Sequence, residues 1–197
     1  MSNELKGMLD IERPLILATS SKARRELMKM TGLPFRVRFP KIDEIIYPEE
    51  SPEDYVKRLA KEKALSIRPK NNNALIITVD TTVVCDEIIM GKPIDADDAR
   101  RMLYTLSDRW HDVVSGIALL NRSSERLMVE VVSTRVKFID MSDDMVDWYV
   151  ATREPFGKAG SYAIQGKGAI FVEAIEGCFT NVIGLSLPTL INMLSVM

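Results

Sequence analysis

The chain predicts an α/β fold on a mixed sheet, and three observations predict it. Short apolar runs rich in Ile, Val and Thr alternate with segments of helical period. Ser or Asp stands directly before those helical segments, where a cap belongs. Two neighbouring apolar runs are parted by only a few polar residues, as a hairpin is. Of 197 residues, 46% are hydrophobic and 27% charged, an ordinary balance for a globular chain that buries a core. The formal net charge of −2 argues against a protein that lives on nucleic-acid phosphates, which needs a basic surplus.

Pro14-Leu15-Ile16-Leu17-Ala18-Thr19 reads as a buried strand that runs through Ser20-Ser21 into a helix over Lys22 to Met30. Phe35 to Phe39 alternates apolar residues with Arg36 and Arg38, a half-buried strand. Ser51-Pro52-Glu53-Asp54 opens a second helix with a cap, a first-position proline and acids in the first turn. Its apolar face is Val56, Leu59, Ala60, Ala64 and Ile67, with Lys63 on the edge of that face. Ala74 to Val84 predicts a long strand interrupted by Asp80, turned back at Asp86-Glu87 through Ile88-Ile89-Met90. Asp95 caps a third helix lined by Ala99, Met102, Leu103 and Leu106. Val113 to Leu120 and Leu127 to Phe138 predict paired strands across Asn121 to Glu125. Ser142 caps a helix through Trp148 and Tyr149, both expected in the core together with Trp110. Ala169 to Val172 reads as a short strand, and Pro188 to Val196 as a closing helix.

Met1 to Pro14 carries Glu4, Asp10 and Glu12 without an apolar segment, unlike a signal peptide. No run approaches the ~18 apolar residues that span a bilayer. Cys85 and Cys178 form no CxxC or Cys/His pattern and predict buried free thiols. The single His111 excludes a His-rich zinc site and is expected to be structural. These features predict a cytoplasmic protein with no membrane or nucleic-acid partner.

Chemistry concentrates in a few places. Thr19-Ser20-Ser21-Lys22-Ala23-Arg24-Arg25 places hydroxyls, N–H groups and forked cations at a helix N-terminus, suited either to an anion or to an ordinary capped helix. Asp80 in its apolar run is either a solvated strand end or a carboxylate that is paired or bound to a cation. Lys92 sits on the stiff turn Gly91-Lys92-Pro93. Gln165, in a Gly-rich stretch, has an amide able to read a base edge. From the residues alone, this is an α/β protein with one carboxylate site and cations suited to a phosphorylated ligand.

Several blocks together resemble the Maf family of nucleotide pyrophosphatases: Leu17 to Leu27, Arg58 to Ala64, Val79 to Val84, Gly91-Lys92-Pro93, Arg109 to Val113, Lys158 to Gly166 and Asn181 to Leu185. They occur in family order and cover nearly the whole chain after Pro14. This assigns residues 1–13 to an N-terminal extension and 14–197 to a single domain. The resemblance implies a fold of the inosine-triphosphatase type, an elongated mixed sheet flanked by helices, with two lobes and a central cleft. It implies hydrolysis of a nucleoside triphosphate between the α and β phosphates. It also implies a divalent cation, Mg²⁺ or Mn²⁺, and a homodimer. By the resemblance, Asp80, Glu44 and Lys63 are catalytic, with Asp80 and Glu44 at the metal. Ser21, Arg24, Lys63 and Lys92 face the phosphates, while Thr81 and Gln165 select the base. Where the family commonly has Ser-Pro-Arg-Arg, this chain has Ser21-Lys22-Ala23-Arg24, which changes a specificity position to Ala23. Thr81 after Asp80 is similar to members acting on dTTP and UTP, whereas 7-methyl-GTP members have Gln there. Two alternatives stand beside dTTP/UTP hydrolysis: selectivity for modified nucleotides such as 7-methyl-GTP, and a nucleotide-binding regulator of septum formation or cell division.

Overall fold

The computed structural model describes residues 4–69 and 73–197, so residues 1–3 of the expected extension lie outside the described residues. In chain order the elements are α1 (Glu4–Met8), β1 (Leu15–Ala18), α2 (Lys22–Met30), β2 (Phe35–Arg38), α3 (Pro52–Ser66), β3 (Leu75–Cys85), β4 (Ile88–Met90), α4 (Ala96–Leu106), β5 (Trp110–Asn121), β6 (Arg126–Phe138), α5 (Asp143–Ala151), β7 (Val172–Glu176), α6 (Phe179–Ile183) and α7 (Leu187–Ser195). Ser21, Ser51, Asp95 and Ser142 cap α2, α3, α4 and α5. Each side chain accepts the N–H three residues on. Asp86 and Glu87 both take the left-handed conformation that a tight hairpin turn requires.

The seven-stranded sheet has the order β2-β1-β3-β5-β6-β7, with β4 paired to β3. β1 lies parallel to both β2 and β3, while β4 and β7 run antiparallel to β3 and β6. The mixed α/β architecture is therefore as the residues predict. Two compact units divide the chain: Met1–Asp80 with Ser115–Val132 and Gly184–Met197, and Thr81–Val114 with Ser133–Ile183.

In the first unit, one face of the sheet presents Ile16, Ala18, Ile76, Ala118 and Leu120 to Ala60 and Ala64 of α3 and to Ile67 just beyond it. Small residues make that contact close. A Cβ built on Gly116 would lie 2.3 Å from the Val56 carbonyl oxygen, so only glycine lets α3 sit this near β5. The Thr78 hydroxyl donates to the Ala60 carbonyl at 2.6 Å and fixes the helix along β3.

The second unit closes around Leu103, Leu106, Val136, Phe138, Val146, Tyr149 and Phe171. His111 is buried there, edge-on to Phe138 and Tyr162, with Nε2 2.9 Å from the Tyr162 hydroxyl. Burial pushes its imidazole down to about 3. The neutral ring is a core group, as expected.

Three sequence expectations need correction. Residues 167–171 form a 3₁₀ turn, and the strand starts only at Val172. The Gly168 N–H donates to Glu154 Oε1 at 3.0 Å and Ala169 N–H to the Gly166 carbonyl at 3.2 Å, which coils this stretch against Tyr149 and Glu154. Trp148 is 46% exposed, because α5 turns Val146, Tyr149 and Val150 inward and carries Trp148 past that face, and Trp110 is only half-buried, with the Arg135 guanidinium over its ring. Cys85 is buried, but Cys178 is only half-buried. Among the described residues, no helix is long and apolar enough to cross a membrane.

Replacing Gly116 with Ala should cost about 3 kcal/mol in urea unfolding, since backbone rather than a flexible side chain must move. The His111 prediction concerns pH. The folded ring titrates near 3 and an unfolded histidine near ~6.5, so between those values the unfolded chain binds the extra proton. Stability therefore falls as pH drops through that window, by up to ~1.4 kcal/mol per pH unit. His111→Gln should flatten that part of the profile relative to wild type, measured by denaturant melts from pH 7 to 4.

Candidate active site

Residues of the first unit build the charged centre. On β3, Thr78 and Asp80 alternate to the same face. On α3, Ala60 and Lys63 share one helix face at i, i+3. The Thr78–Ala60 hydrogen bond therefore sets up the next contact along, where Lys63 Nζ lies 2.5 Å from Asp80 Oδ1. Both side chains are nearly buried, 7% and 8% exposed. Asp80 is thus paired and is not a solvated strand end. Glu44, from the segment between β2 and α3, places Oε1 2.7 Å from the same Nζ. Two contacts of 2.5 and 2.7 Å to one nitrogen leave the carboxyl oxygens at most about 5.2 Å apart. Lys63, Asp80 and Glu44 therefore meet at one point.

Arg24 joins them from α2. Nε donates to the Gly184 carbonyl and Nη1 to the Val79 carbonyl, each at 2.8 Å. Gly184 has φ +122, and its Cβ would lie 3.4 Å from Arg24 Nε. A side chain at that position is strained whatever the space. Burial lowers the Arg24 guanidinium from its usual value, while Asp80 and Glu44 pull it back up. Ser21 caps α2, its hydroxyl accepting from Arg24 N at 3.3 Å. Ala23 stands half-buried in the first turn of that helix.

The remaining candidates belong to the second unit. Thr81 follows Asp80 on β3 and is half-buried on the opposite strand face. Lys92 is exposed beyond β4, and Gln165 is exposed in the Gly-rich stretch. Gly160 N donates to the Gly91 carbonyl at 3.1 Å, which ties the two segments carrying Lys92 and Gln165 together.

Sequence reasoning passed over Tyr55 and Glu50 and gave Arg58 no role. Tyr55 is buried on α3, and burial with the charges of Asp80 and Glu44 raises its phenol to about 12. Glu50 binds Arg58 through both carboxylate oxygens, at 2.6 and 2.7 Å. That pair spans a segment of irregular backbone, so no periodicity announces it. The carbonyls that hold Arg24 leave no side-chain signal either.

The donor set suits a divalent ion bound together with phosphate. Among the described residues, no three His, Cys, Asp or Glu side chains gather as a metal cluster. A magnesium-like ion, however, takes one or two carboxylates and completes its shell with phosphate oxygens and water. Asp80 and Glu44 are two hard oxygen donors brought together at the Lys63 ammonium.

The Maf-like protein family model matches residues 14–197. A curated dTTP/UTP pyrophosphatase of Caldicellulosiruptor bescii is 44% identical over 184 residues, 91% of this chain and 92% of its own length. Its counterpart in Anaeromyxobacter dehalogenans is 46% identical over 176 residues, 88% of each chain. The one in Dictyoglomus turgidum is 43% identical over 186 residues, 94% of this chain and 96% of its own. Among solved structures, a nucleoside-triphosphatase / dITP/XTP pyrophosphatase of Mycobacterium abscessus aligns with a TM-score of 0.41 at 16% identity, over 65% of this chain and 75% of its own.

Removing one member of the Lys63–Asp80 pair leaves a buried charge uncompensated. Lys63→Met should destabilise the fold by about 3 kcal/mol. Asp80→Asn should cost less, because Glu44 still faces the ammonium. The double variant should be more stable than the summed losses predict, a coupling read from denaturant unfolding of all four proteins.

Proposed function

The chain belongs to the Maf family, and on that premise we propose that it hydrolyses dTTP or UTP to the nucleoside monophosphate and pyrophosphate. The observation that carries this reading is the single Lys63 ammonium shared by Asp80 and Glu44. Binding a nucleotide needs cations and hydrogen-bond donors, and carboxylates beside a polyphosphate are unfavourable unless they do chemistry or hold a metal ion. A regulator that only binds would gain nothing from them.

In the proposed reaction a water oxygen adds in line to the α phosphorus. The bond from that phosphorus to the α–β bridging oxygen breaks, pyrophosphate leaves, and the water proton passes to a carboxylate. Asp80 is assigned this proton, since it stands on a rigid strand, while Glu44 reaches in from an irregular segment. Asp80 and Glu44 would hold a divalent cation, Mg²⁺ or Mn²⁺, which when bound would supply positive charge to the polyphosphate. Lys63 keeps the two acids from repelling one another and adds its own charge toward the phosphates. Arg24 and the N–H groups beside Ser21 at the start of α2 bind phosphate oxygens. Lys92 contributes a further ammonium. Thr81, Gln165 and Ala23 select the base, and Thr81 favours the pyrimidines named by the relatives. Residues 14–197 act as one catalytic domain in this reading, assembled as a homodimer, with residues 1–13 outside it.

A substrate panel of dTTP, UTP, CTP, ATP and 7-methyl-GTP with Mg²⁺ or Mn²⁺ and pyrophosphate detection tests the reading. Turnover should be highest with dTTP and UTP. Asp80→Asn should lower kcat by ~10²–10⁴-fold. Unchanged turnover in that variant would remove Asp80 from the chemistry.

A further inference from the structure

Glu44 lies in the stretch from Phe39 to Ser51, which forms neither helix nor strand. Ile45, Ile46 and Tyr47 are 57%, 47% and 52% exposed, so burial of these apolar side chains does little to hold the stretch in place. A carboxylate meant to meet a fixed ammonium needs its backbone held by something else.

Arg58 supplies that hold from α3. Its Nε and Nη2 grip the two oxygens of Glu50 at 2.6 and 2.7 Å, and Nη2 also donates to the Ile45 carbonyl at 2.7 Å. The guanidinium lies over the Tyr47 ring, 4.1 Å from its centre. Glu50 passes the constraint on: Oε2 accepts the Tyr47 N–H, and the Glu50 N–H donates to the Tyr47 carbonyl, each at 3.2 Å. The pair is largely shielded, with Arg58 20% and Glu50 9% exposed, so water competes with it weakly. Glu62 steadies the same guanidinium from one turn on, at 3.4 Å. Arg58 and Lys63 ride on one rigid helix. α3 therefore sets both the ammonium that Glu44 meets and the main chain from which Glu44 reaches.

We infer that Arg58, with Glu50, is the positioning residue for Glu44, holding the 45–50 backbone so that the Glu44 carboxylate reaches the Lys63–Asp80 pair. The role needs a planar fork, because one guanidinium bonds a carboxylate, a carbonyl and a ring face at once. An ammonium cannot do so. The inference rests on the pyrophosphatase reading for its consequence in catalysis, and on geometry alone for its consequence in structure.

The test compares wild type with Arg58→Lys, Glu50→Gln, Glu44→Gln and the Arg58→Lys/Glu44→Gln double variant. Circular dichroism checks that each is folded. In dTTP hydrolysis with Mn²⁺, Arg58→Lys and Glu50→Gln should each lower kcat ~10–100-fold and raise the Mn²⁺ concentration needed for half-maximal rate. The double variant should be no slower than Glu44→Gln alone. A glutamate-specific protease should cut the Glu44–Ile45 bond at least tenfold faster in Arg58→Lys than in wild type, a readout independent of activity. A wild type that releases no pyrophosphate sinks the functional reading and leaves the proteolysis result to decide the structural one. An active wild type whose Arg58→Lys variant keeps its kcat overturns the inference. So does a double variant slowed well beyond Glu44→Gln, or an unchanged cleavage rate.

Discussion

A carboxylate buried on a strand of apolar residues and threonines is the constraint that dictates the charged centre. An isolated ionised acid at such a depth is costly by many kcal/mol, so Asp80 must have a cation at contact distance. The residues that the neighbouring strands contribute to this face of the sheet, Ile16, Ala18, Ala118 and Leu120, carry no cation. The cation comes from the helix laid over that face, and the helix must lie close enough for a lysine to reach without leaving the core. Gly116 allows the approach, and Thr78 sets where along β3 the helix lies. Packing and electrostatics are thus one problem in this unit, since the helix that buries Ala60 and Ala64 against the sheet also buries Lys63 with its head between the two acids.

Charge balance explains why the second acid is not surplus. Arg24 and Lys63 carry two positive charges, and Asp80 and Glu44 two negative ones. A polyphosphate approaching such a centre meets no large field of either sign until the acids are themselves engaged by a cation. In the proposed reaction, affinity for the anion would then be linked to affinity for the metal ion, a linkage that would let the centre ignore phosphates arriving without one.

Much of this was legible in the residues and some was not, and the division is physical. Caps are local chemistry, so Ser21, Ser51, Asp95 and Ser142 announced α2, α3, α4 and α5 correctly. Long apolar strands are equally local, and an acid inside one, Asp80, stood out for the same reason. Lys63 at the edge of the apolar face of α3 was readable as a residue near the core, while its bond to Asp80 required knowing which helix covers which strand. Glu44 entered by family resemblance only, because the stretch around it has no period. The Arg58–Glu50 pair, the coil at 167–171 and the outward turn of Trp148 are decided by tertiary neighbours. No local propensity reports them.

Arg24 is a charged side chain with two tethers on main-chain oxygens, and those two tethers do not depend on the identity of the side chains that carry them. The Val79 and Gly184 carbonyls are supplied by the polypeptide itself, so drift in the Val79 side chain does not cut that tether. A lineage can therefore repack the wall behind this guanidinium one residue at a time without passing through an intermediate in which the cation has come loose. The freedom is asymmetric. It ends at position 184, where the backbone conformation admits glycine and little else.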